Sequence, residues 1–148
     1  MLDGRQPADL GARVVGLYVV PVRHAPLTPV RSVRALADHG FEGDAHARPG
    51  SDRQLLLMDA ETVRELGLEP GVLKENITTS GLPRYEQPAG QRLRIGTALL
   101  ELTSVCPPCG KMEAIRLGLR QELVGRRGYL ARVVETGELC VGDAIELA

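Results

Sequence analysis

Glycine and proline divide this sequence into short apolar runs, and that punctuation limits the fold more than any other feature. The 148 residues include 17 glycines and 10 prolines. Short apolar or alternating runs bounded by such residues are typical of β-strands, because glycine and proline form turns and end strands. The runs that we interpret as strands are residues 12–22, 30–36 and 54–59, a hairpin over 91–105 that turns at Gly96 and Thr97, and two or three short strands within 128–148, joined by turns at ETGE and VGDA.

Two stretches follow helical patterns instead. Asp59 is a suitable N-cap for a short helix that Gly67 would end. A second, amphipathic helix is predicted over residues 111–125, where apolar residues recur at spacings of three and four: Met112, Ile115, Leu119 and Leu123. The polar stretches 38–54 and 69–83 are interpreted as loops, and the first is long enough to be functional.

The order of these elements predicts the architecture. Most strands follow one another through turns, without the regular alternation of strand and helix that builds a doubly wound parallel sheet. We therefore expect a mainly β domain, with mixed and antiparallel strands in a barrel-like arrangement and two or more short helices. A chain of 148 residues is long enough for one ordinary domain. We assign that domain to residues 13–148 and interpret residues 1–12 as a flexible lead-in.

Charge and hydropathy argue against several classes of partner. The chain has 18 Lys and Arg against 19 Asp and Glu, a formal net charge of −1, so nothing indicates general attraction to nucleic acid or to a membrane surface. No apolar run approaches the roughly 18 residues of a membrane span, and the N-terminus lacks the pattern of a signal peptide. We expect a cytoplasmic protein that binds neither nucleic acid nor membrane. Exposed strand edges would allow a homodimer.

The sequence CPPC, which spans Cys106 to Cys109, can serve three chemistries: a redox disulfide, half of a zinc site, or a thiolate offered to a bound molecule. A strand followed by CxxC and a helix is the local layout of a dithiol oxidoreductase, although the preceding hairpin does not suit the usual fold of that class. Zinc is disfavoured because a closed site needs four ligands. Cys140 lies in a strand pattern, and the three histidines lack ligand-like spacing.

The three cysteines receive different interpretations. Cys106 and Cys140 are read as small buried residues within or at the end of strands. Cys109 is different, because it precedes Gly110 and the start of a helical pattern, and Lys111 is close. Unpaired backbone N–H groups and a nearby lysine favour a thiolate. We therefore interpret Cys109 as a reactive or ligating thiol.

Two polar segments could meet that thiol. Residues 74–81 offer amide, hydroxyl and backbone donors that suit a phosphate or the edge of a heteroaromatic ring, although the same groups could equally form a turn that satisfies itself. The other segment carries Asp44 and His46, followed by Arg53 at the start of an apolar strand. A guanidinium in that place suits an anion or a buried carboxylate.

Taken in order, these motifs resemble the MOSC domain, the family named after the C-terminal domain of molybdenum-cofactor sulfurase. The resemblance runs from about residue 13 to the end of the chain, over GFEGDAH, DRQLLLMDAE, LEPGVLKENITTSGL, GQRLRIGTALLELT, a Pro-Cys pair and RRGYLARVVETGELCVGDAIEL. It implies a compact β-barrel-like fold of the pyruvate-kinase-barrel type. It also implies a role in molybdenum-cofactor or sulfur handling.

The resemblance assigns roles to particular residues. The cysteine of the Pro-Cys pair is Cys109, which related domains use as a thiolate ligand to molybdenum or as a proposed persulfide carrier. The implied cofactor-binding residues are Glu75, Asn76, Thr78 and Thr79 at the pterin site, Asp44, His46 and Arg53 near the same cleft, and Arg127 as a further phosphate donor. Cys106 is not required by the family pattern, so a disulfide between Cys106 and Cys109 stays open under oxidation.

Two functions are then compatible with the sequence. As an enzyme, the domain would hold the molybdenum cofactor on Cys109 and reduce N-hydroxylated compounds with an external electron donor. As a carrier, Cys109 would accept sulfur as a persulfide from a cysteine desulfurase, whose own cofactor is pyridoxal phosphate. The dithiol oxidoreductase remains the alternative outside the family. Our main prediction is a protein that binds the molybdenum cofactor, and whether it acts as an enzyme stays open.

Overall fold

The computed structural model describes residues 11–82 and 87–148, and residues 1–10 of the expected lead-in lie outside this part of the chain. Short strands dominate the fold, with three brief helices between them. In chain order the elements are β1 (Arg13–Val19), β2 (Thr28–Val30), β3 (Ser32–Leu36), β4 (Gly40–Phe41), β5 (Leu55–Asp59), α1 (Ala60–Glu65), β6 (Ile77–Ser80), β7 (Arg92–Ile95), β8 (Ala98–Val105), α2 (Lys111–Ile115), α3 (Leu119–Glu122), β9 (Tyr129–Glu135), β10 (Gly137–Cys140) and β11 (Ile145–Leu147).

One curled sheet of eight strands forms the body, in the order β11-β7-β8-β9-β5-β6-β1-β2. Its pairs are antiparallel except β5 with β6, which run parallel through the crossover that contains α1. A small sheet, β10-β3-β4, lies beside it. The mainly β, mixed-sheet architecture expected from the sequence is therefore confirmed.

Residues 12–14 meet residues 143–145, and this contact curls the large sheet towards closure. Arg13 forms an isolated bridge with Ala144, and the Ile145 N–H donates to the Ala12 carbonyl at 2.9 Å. On the other side of that bridge, the Val14 N–H donates to the Asp143 carbonyl at 2.9 Å. These bonds satisfy strand-edge groups that would otherwise face solvent, and they give the sheet its barrel-like form. Among the described helices, none is long and apolar enough to cross a membrane.

Strand β5 is buried on both faces. Leu55 and Leu57 belong to the main core inside the curled sheet, whereas Met58 packs in a second cluster with residues of α1, α2 and α3. Leu56 packs in a third cluster with Cys106 and Leu130. Since successive side chains point to opposite faces of a strand, a run of four apolar residues is what two-sided burial requires.

The segment 69–83, predicted as loop, contains strand β6. Thr78 and Thr79 are both buried there, between β5 on one side and β1 on the other. The β-branched threonine suits a strand, but its hydroxyl makes the run look like a polar loop. The loop prediction was wrong because the polar groups are satisfied inside the sheet.

The single helix predicted over 111–125 is two short helices, α2 and α3. Gly118 separates them with a φ of 87°, a left-handed conformation that an α-helix cannot accommodate. The Glu113 carboxylate accepts from the Gly118 N–H and the Arg120 N–H, each at 2.9 Å, and these two bonds lower the pKa of Glu113. The chain turns at the glycine and still buries Met112, Leu119 and Leu123.

The last three strands are joined at ETGE and VGDA, as predicted, but each of them pairs with strands from earlier in the chain. Strand β9 pairs with β8 and β5, whereas β10 crosses to pair with β3 in the small sheet. Strand β11 then returns to pair with β7. Turn composition predicted the strand ends correctly, but the strand partners depend on packing that spans the whole chain.

Substitution of Gly128 tests whether the close packing of the chain against β5 contributes to stability. Its φ is +103°, and a Cβ built there would collide with the Leu57 carbonyl of β5. Gly125 has a φ of +75° with nothing within 4 Å of its built Cβ. We expect Gly125→Ala to lower the free energy of unfolding by about 1 kcal/mol, from backbone strain alone. Gly128→Ala should lose about 3 kcal/mol or more, because the clash adds to the strain. Urea denaturation measures both, and equal losses would show that the close approach to Leu57 is unimportant.

Candidate functional site

A cleft of about 690 Å³ lies against the outward side of β5, between the 42–54 loop and helix α2. Four stretches of chain distant in sequence contribute to it: the end of the 42–54 loop with the start of β5, the residues just before β6, the segment from Cys106 to Ile115, and residues 127–130 at the start of β9. The lining residues are His46, Arg48, Arg53, Gln54, Leu55, Leu56, Val72, Lys74, Asn76, Cys106, Cys109, Lys111, Met112, Ile115, Arg127 and Leu130.

The cleft brings together five of the residues predicted from the sequence. They are Cys109, Arg53, His46, Asn76 and Arg127. The remaining four, Asp44, Glu75, Thr78 and Thr79, are buried and do not line it.

The charge of the cleft is one-sided. Among the described residues that line it are five Lys or Arg side chains and one histidine, but no Asp or Glu. The whole chain, by contrast, carries 18 Lys and Arg against 19 Asp and Glu. A concave surface lined by one sign of charge focuses the field and concentrates ions of the opposite sign. The cleft is therefore suited to an anion.

Arg127 is the innermost of these cations. It is 6% exposed, and its Nη2 donates to the Leu73 carbonyl at 2.7 Å. Its Nη1 is buried and has no hydrogen-bond partner within the described part of the chain. Buried donors in native proteins almost always have a partner, so an open guanidinium nitrogen at a cleft suits an anionic ligand. Gly128 follows directly and lies close to the Leu57 carbonyl of β5.

Cys109 is exposed and carries a free thiol. It directly precedes the first turn of α2, where its carbonyl accepts from the Met112 N–H at 3.0 Å. Its side chain is thus open to solvent and also borders the cleft. The role of Cys109 as a reactive or ligating thiol stays a prediction.

Cys106 is buried, as interpreted from the sequence, but it also borders the cleft, which the sequence did not indicate. Burial raises the pKa of the Cys106 thiol, although the guanidinium groups of Arg127 and Arg53 act in the opposite direction. The Cys106 N–H donates to the Gly128 carbonyl at 2.8 Å. Cys140 is partly buried on β10 and does not border the cleft.

Asp44 and Asn76 form a buried polar link between elements instead of facing a ligand with their polar atoms. The Asp44 carboxylate accepts from the Val20 N–H at 2.9 Å and from Asn76 Nδ2 at 3.1 Å. The other amide atom, Asn76 Oδ1, accepts from the Leu56 N–H at 3.0 Å. One pair of side chains thereby joins the end of β1, the middle of β5 and the approach to β6.

Glu75 and Thr78 form a second internal link. Glu75 is fully buried, and its Oε2 accepts from the Gly71 N–H and from Thr78 Oγ1, each at 3.0 Å. Thr79 is buried in β6, opposite Val14 of β1. The ENITT motif therefore shapes the loop and strand beside the cleft, and of its residues only Asn76 lies on the cleft wall.

Several cleft residues were not predicted from the sequence as parts of a binding site. Arg48, Gln54 and Lys74 line the cleft beside the predicted residues. Lys74 has a left-handed φ of 67°, which is uncommon for a residue with a side chain. The one available signal was its position, directly before the ENITT motif. Among the described residues, no three His, Cys, Asp or Glu side chains are grouped as metal ligands.

Because Asp44 is hydrogen-bonded to Asn76 inside the protein, we expect its substitution to lower stability, unlike the substitution of a residue on the cleft rim. Asp44→Ala leaves the Val20 N–H and the Asn76 amide without their partner, so we expect the free energy of unfolding to fall by about 3 kcal/mol. His46→Ala, two residues away on the exposed cleft rim, should change it by less than about 0.5 kcal/mol. Urea denaturation of both variants provides the comparison. A small loss for Asp44→Ala would show that its hydrogen bonds do not support the fold.

Comparisons with known proteins agree with this architecture. The YUAD protein from Bacillus subtilis superposes with a TM-score of 0.79 at 21% identity, covering 93% of this chain and 96% of that one. YiiM from Geobacillus stearothermophilus gives a TM-score of 0.72 at 22% identity, covering 93% and 75%. YiiM from Escherichia coli gives 0.67 at 24% identity, covering 90% and 69%. At these identities the likeness concerns the fold.

The sequence comparisons give the family. The uncharacterized protein YflK of Bacillus subtilis (strain 168) is 26% identical over an alignment of 134 residues, and the match covers 80% of this chain. The chain spans 60% of the length of that relative. The family model of the MOSC domain matches residues 43–146, a range that contains every residue lining the cleft. The chain therefore belongs to the MOSC domain family.

Proposed function

We propose that the cleft binds the molybdenum cofactor. In this proposal the Cys109 sulfur is a ligand to the metal, and the basic side chains of the cleft surround the phosphate group of the cofactor. The observation that carries this proposal is the presence, on the walls of one cleft, of an exposed free thiol and of a buried guanidinium whose Nη1 has no hydrogen-bond partner among the described residues. The MOSC family is associated with that cofactor.

The donor set of the cleft fits such a group. A thiolate is a soft ligand, and it therefore suits a metal that is already bound through sulfur. A phosphate needs several oriented donors, and Arg127 Nη1 is buried and open for one such bond. Arg53 and Lys74 add positive charge on the same walls. A volume of about 690 Å³ is also within the range of small-molecule sites.

The remaining walls provide a largely apolar surface for a flat ring system. They are lined by Leu55, Leu56, Val72, Met112, Ile115 and Leu130. When bound, the molybdenum cofactor would supply the redox chemistry, and the chain would contribute orientation, charge and the exclusion of water. In this proposal an external electron donor completes a reductase that acts on N-hydroxylated compounds.

A second candidate is a sulfur carrier, and the exposure of Cys109 favours it specifically. A partner such as a cysteine desulfurase must bring its own sulfur within bonding distance of the acceptor. Cys109 is exposed beside α2, whereas Cys106 is buried, so only the first is accessible to a macromolecular donor. In this role Cys109 would hold the transferred sulfur as a persulfide at the mouth of the cleft.

The two candidates are tested by one purification. The protein is expressed in cells that make the molybdenum cofactor, and its molybdenum and pterin contents are measured for wild type, Cys109→Ser and Cys140→Ser. We expect wild type and Cys140→Ser to retain cofactor and Cys109→Ser to lose most of the metal, because the substitution removes the soft ligand. Cys140 is the matched control, since it is a free cysteine that does not border the cleft.

The other outcomes are equally specific. Wild-type protein without molybdenum but with a persulfide on Cys109 would support the carrier instead. A reversible disulfide between Cys106 and Cys109 that exchanges with added thiols would support the dithiol oxidoreductase. Molybdenum retained equally by all three proteins would contradict ligation by Cys109.

A further inference from the structure

Cys109 and the cleft cations together suit a reagent that is both a sulfur donor and an anion. The exposed thiol borders the same space as Arg53, Lys74, Lys111 and Arg127. Within residues 11–82 and 87–148 no Asp or Glu lines that space, so none of their carboxylates would repel from the cleft wall an anion that approaches the thiol. A protein partner that docks outside would not need the inner, buried guanidinium of Arg127, whose Nη1 has no partner in the described residues.

We infer that the cleft accepts a small oxyanion bearing sulfane sulfur, of the thiosulfate type, and that Cys109 takes its outer sulfur directly. This inference rests on the proposed role of Cys109 as the reactive thiol of the cleft. It goes further by naming a substrate class for the site and by giving the chain a sulfurtransferase activity that needs no protein donor.

The transfer is balanced without any other reagent. The Cys109 thiolate attacks the outer sulfur of thiosulfate and forms a new sulfur–sulfur bond. The bond between that outer sulfur and the sulfonate sulfur breaks, and its electron pair leaves with sulfite. A thiolate and a dianion become a persulfide anion and a dianion, so charge and electrons are conserved.

The cations have a defined part in that step. Charge builds on the sulfonate oxygens as sulfite departs, and guanidinium groups bind such oxygens through charge-assisted hydrogen bonds. Arg127 offers a buried donor at a fixed position, because its Nη2 is held by the Leu73 carbonyl. Arg53 is exposed at the cleft, where it can meet the anion first. We expect both residues to bind and orient the donor, and Cys109 to perform the chemistry.

The experiment compares a charged donor with an uncharged one on the full, reduced chain. Thiosulfate is the charged donor, with sulfite release as the readout, and dimethyl trisulfide is the uncharged donor. Mass spectrometry reports the product on Cys109, which is one added sulfur atom from thiosulfate, with sulfite leaving, and a methylthio or methyldithio group from the trisulfide, with methyl persulfide or methanethiolate leaving. We expect wild type to react with both donors and Cys109→Ser with neither. Arg53→Met and Arg127→Met should each slow the thiosulfate reaction about tenfold or more, because each removes a charge-assisted contact.

The uncharged donor separates recognition from folding. In the arginine variants the trisulfide reaction should stay within about twofold of wild type, since the same thiol attacks a molecule that needs no cation. Arg94→Met is the matched control, because Arg94 pairs with Glu135 at 3.1 Å outside the cleft, and it should leave both rates unchanged. If Arg127→Met fails to fold, Arg53→Met still provides the test, because Arg53 is exposed.

Failure of the inference and failure of the proposed function look different. A chain that takes sulfur from the trisulfide but not from thiosulfate has a reactive Cys109 and overturns the oxyanion donor alone. A chain that takes sulfur from neither overturns both the donor and the sulfur-carrier candidate. Equal slowing of both donors in the arginine variants would also overturn the inference, because it would show a general defect and no recognition of the anion.

Discussion

Burial of β5 on both faces is the constraint on which the fold and the cleft jointly depend. Leu55 and Leu57 belong to the core inside the curled sheet, while Leu56 and Met58 pack in separate clusters, with Leu130 and with the helices. The backbone of Leu56 is also held by Asn76. The cleft rests against this strand, so the packing that stabilises the sheet also sets the positions of the cleft residues.

The sequence predicted the strands that a local pattern of apolar residues specifies. Residues 54–59 and 91–105 read as strands because their apolar pattern is strong, and Gly96 and Thr97 form the expected turn. Strand β6 was missed because its threonines are polar, and their burial depends on β1 and β5, which pair with β6 on either side. Gly118 was visible in the sequence, yet an apolar helical spacing on both sides of it concealed the break between α2 and α3.

The candidate site was predictable only in part, for a related reason. Cys109 and Arg53 lie in motifs that can be read directly, and both border the cleft. The excess of positive charge could not be read from a chain whose net charge is −1, because it arises when distant segments such as those of Lys74 and Arg127 converge. Asp44 and Glu75, in contrast, were expected in the site but do not line the cleft. Polar residues that support a site often lie in the same sequence motif as the residues that contact its ligand, so the motif alone does not separate the two roles.

The central claim is that an accessible thiol lies in a locally positive cleft, and the choice of alkylating reagent tests it most directly. The measurement is the ratio of alkylation rates by anionic iodoacetate and uncharged iodoacetamide at each cysteine, with the denatured chain as reference. Partial burial and the nearby carboxylates of Asp143 and Glu138 raise the pKa of Cys140, so this cysteine is an internal control in a negative environment. The account predicts a ratio above the denatured reference at Cys109, falling with added salt, and a ratio below it at Cys140. A ratio at Cys109 equal to the denatured reference or lower would contradict the account.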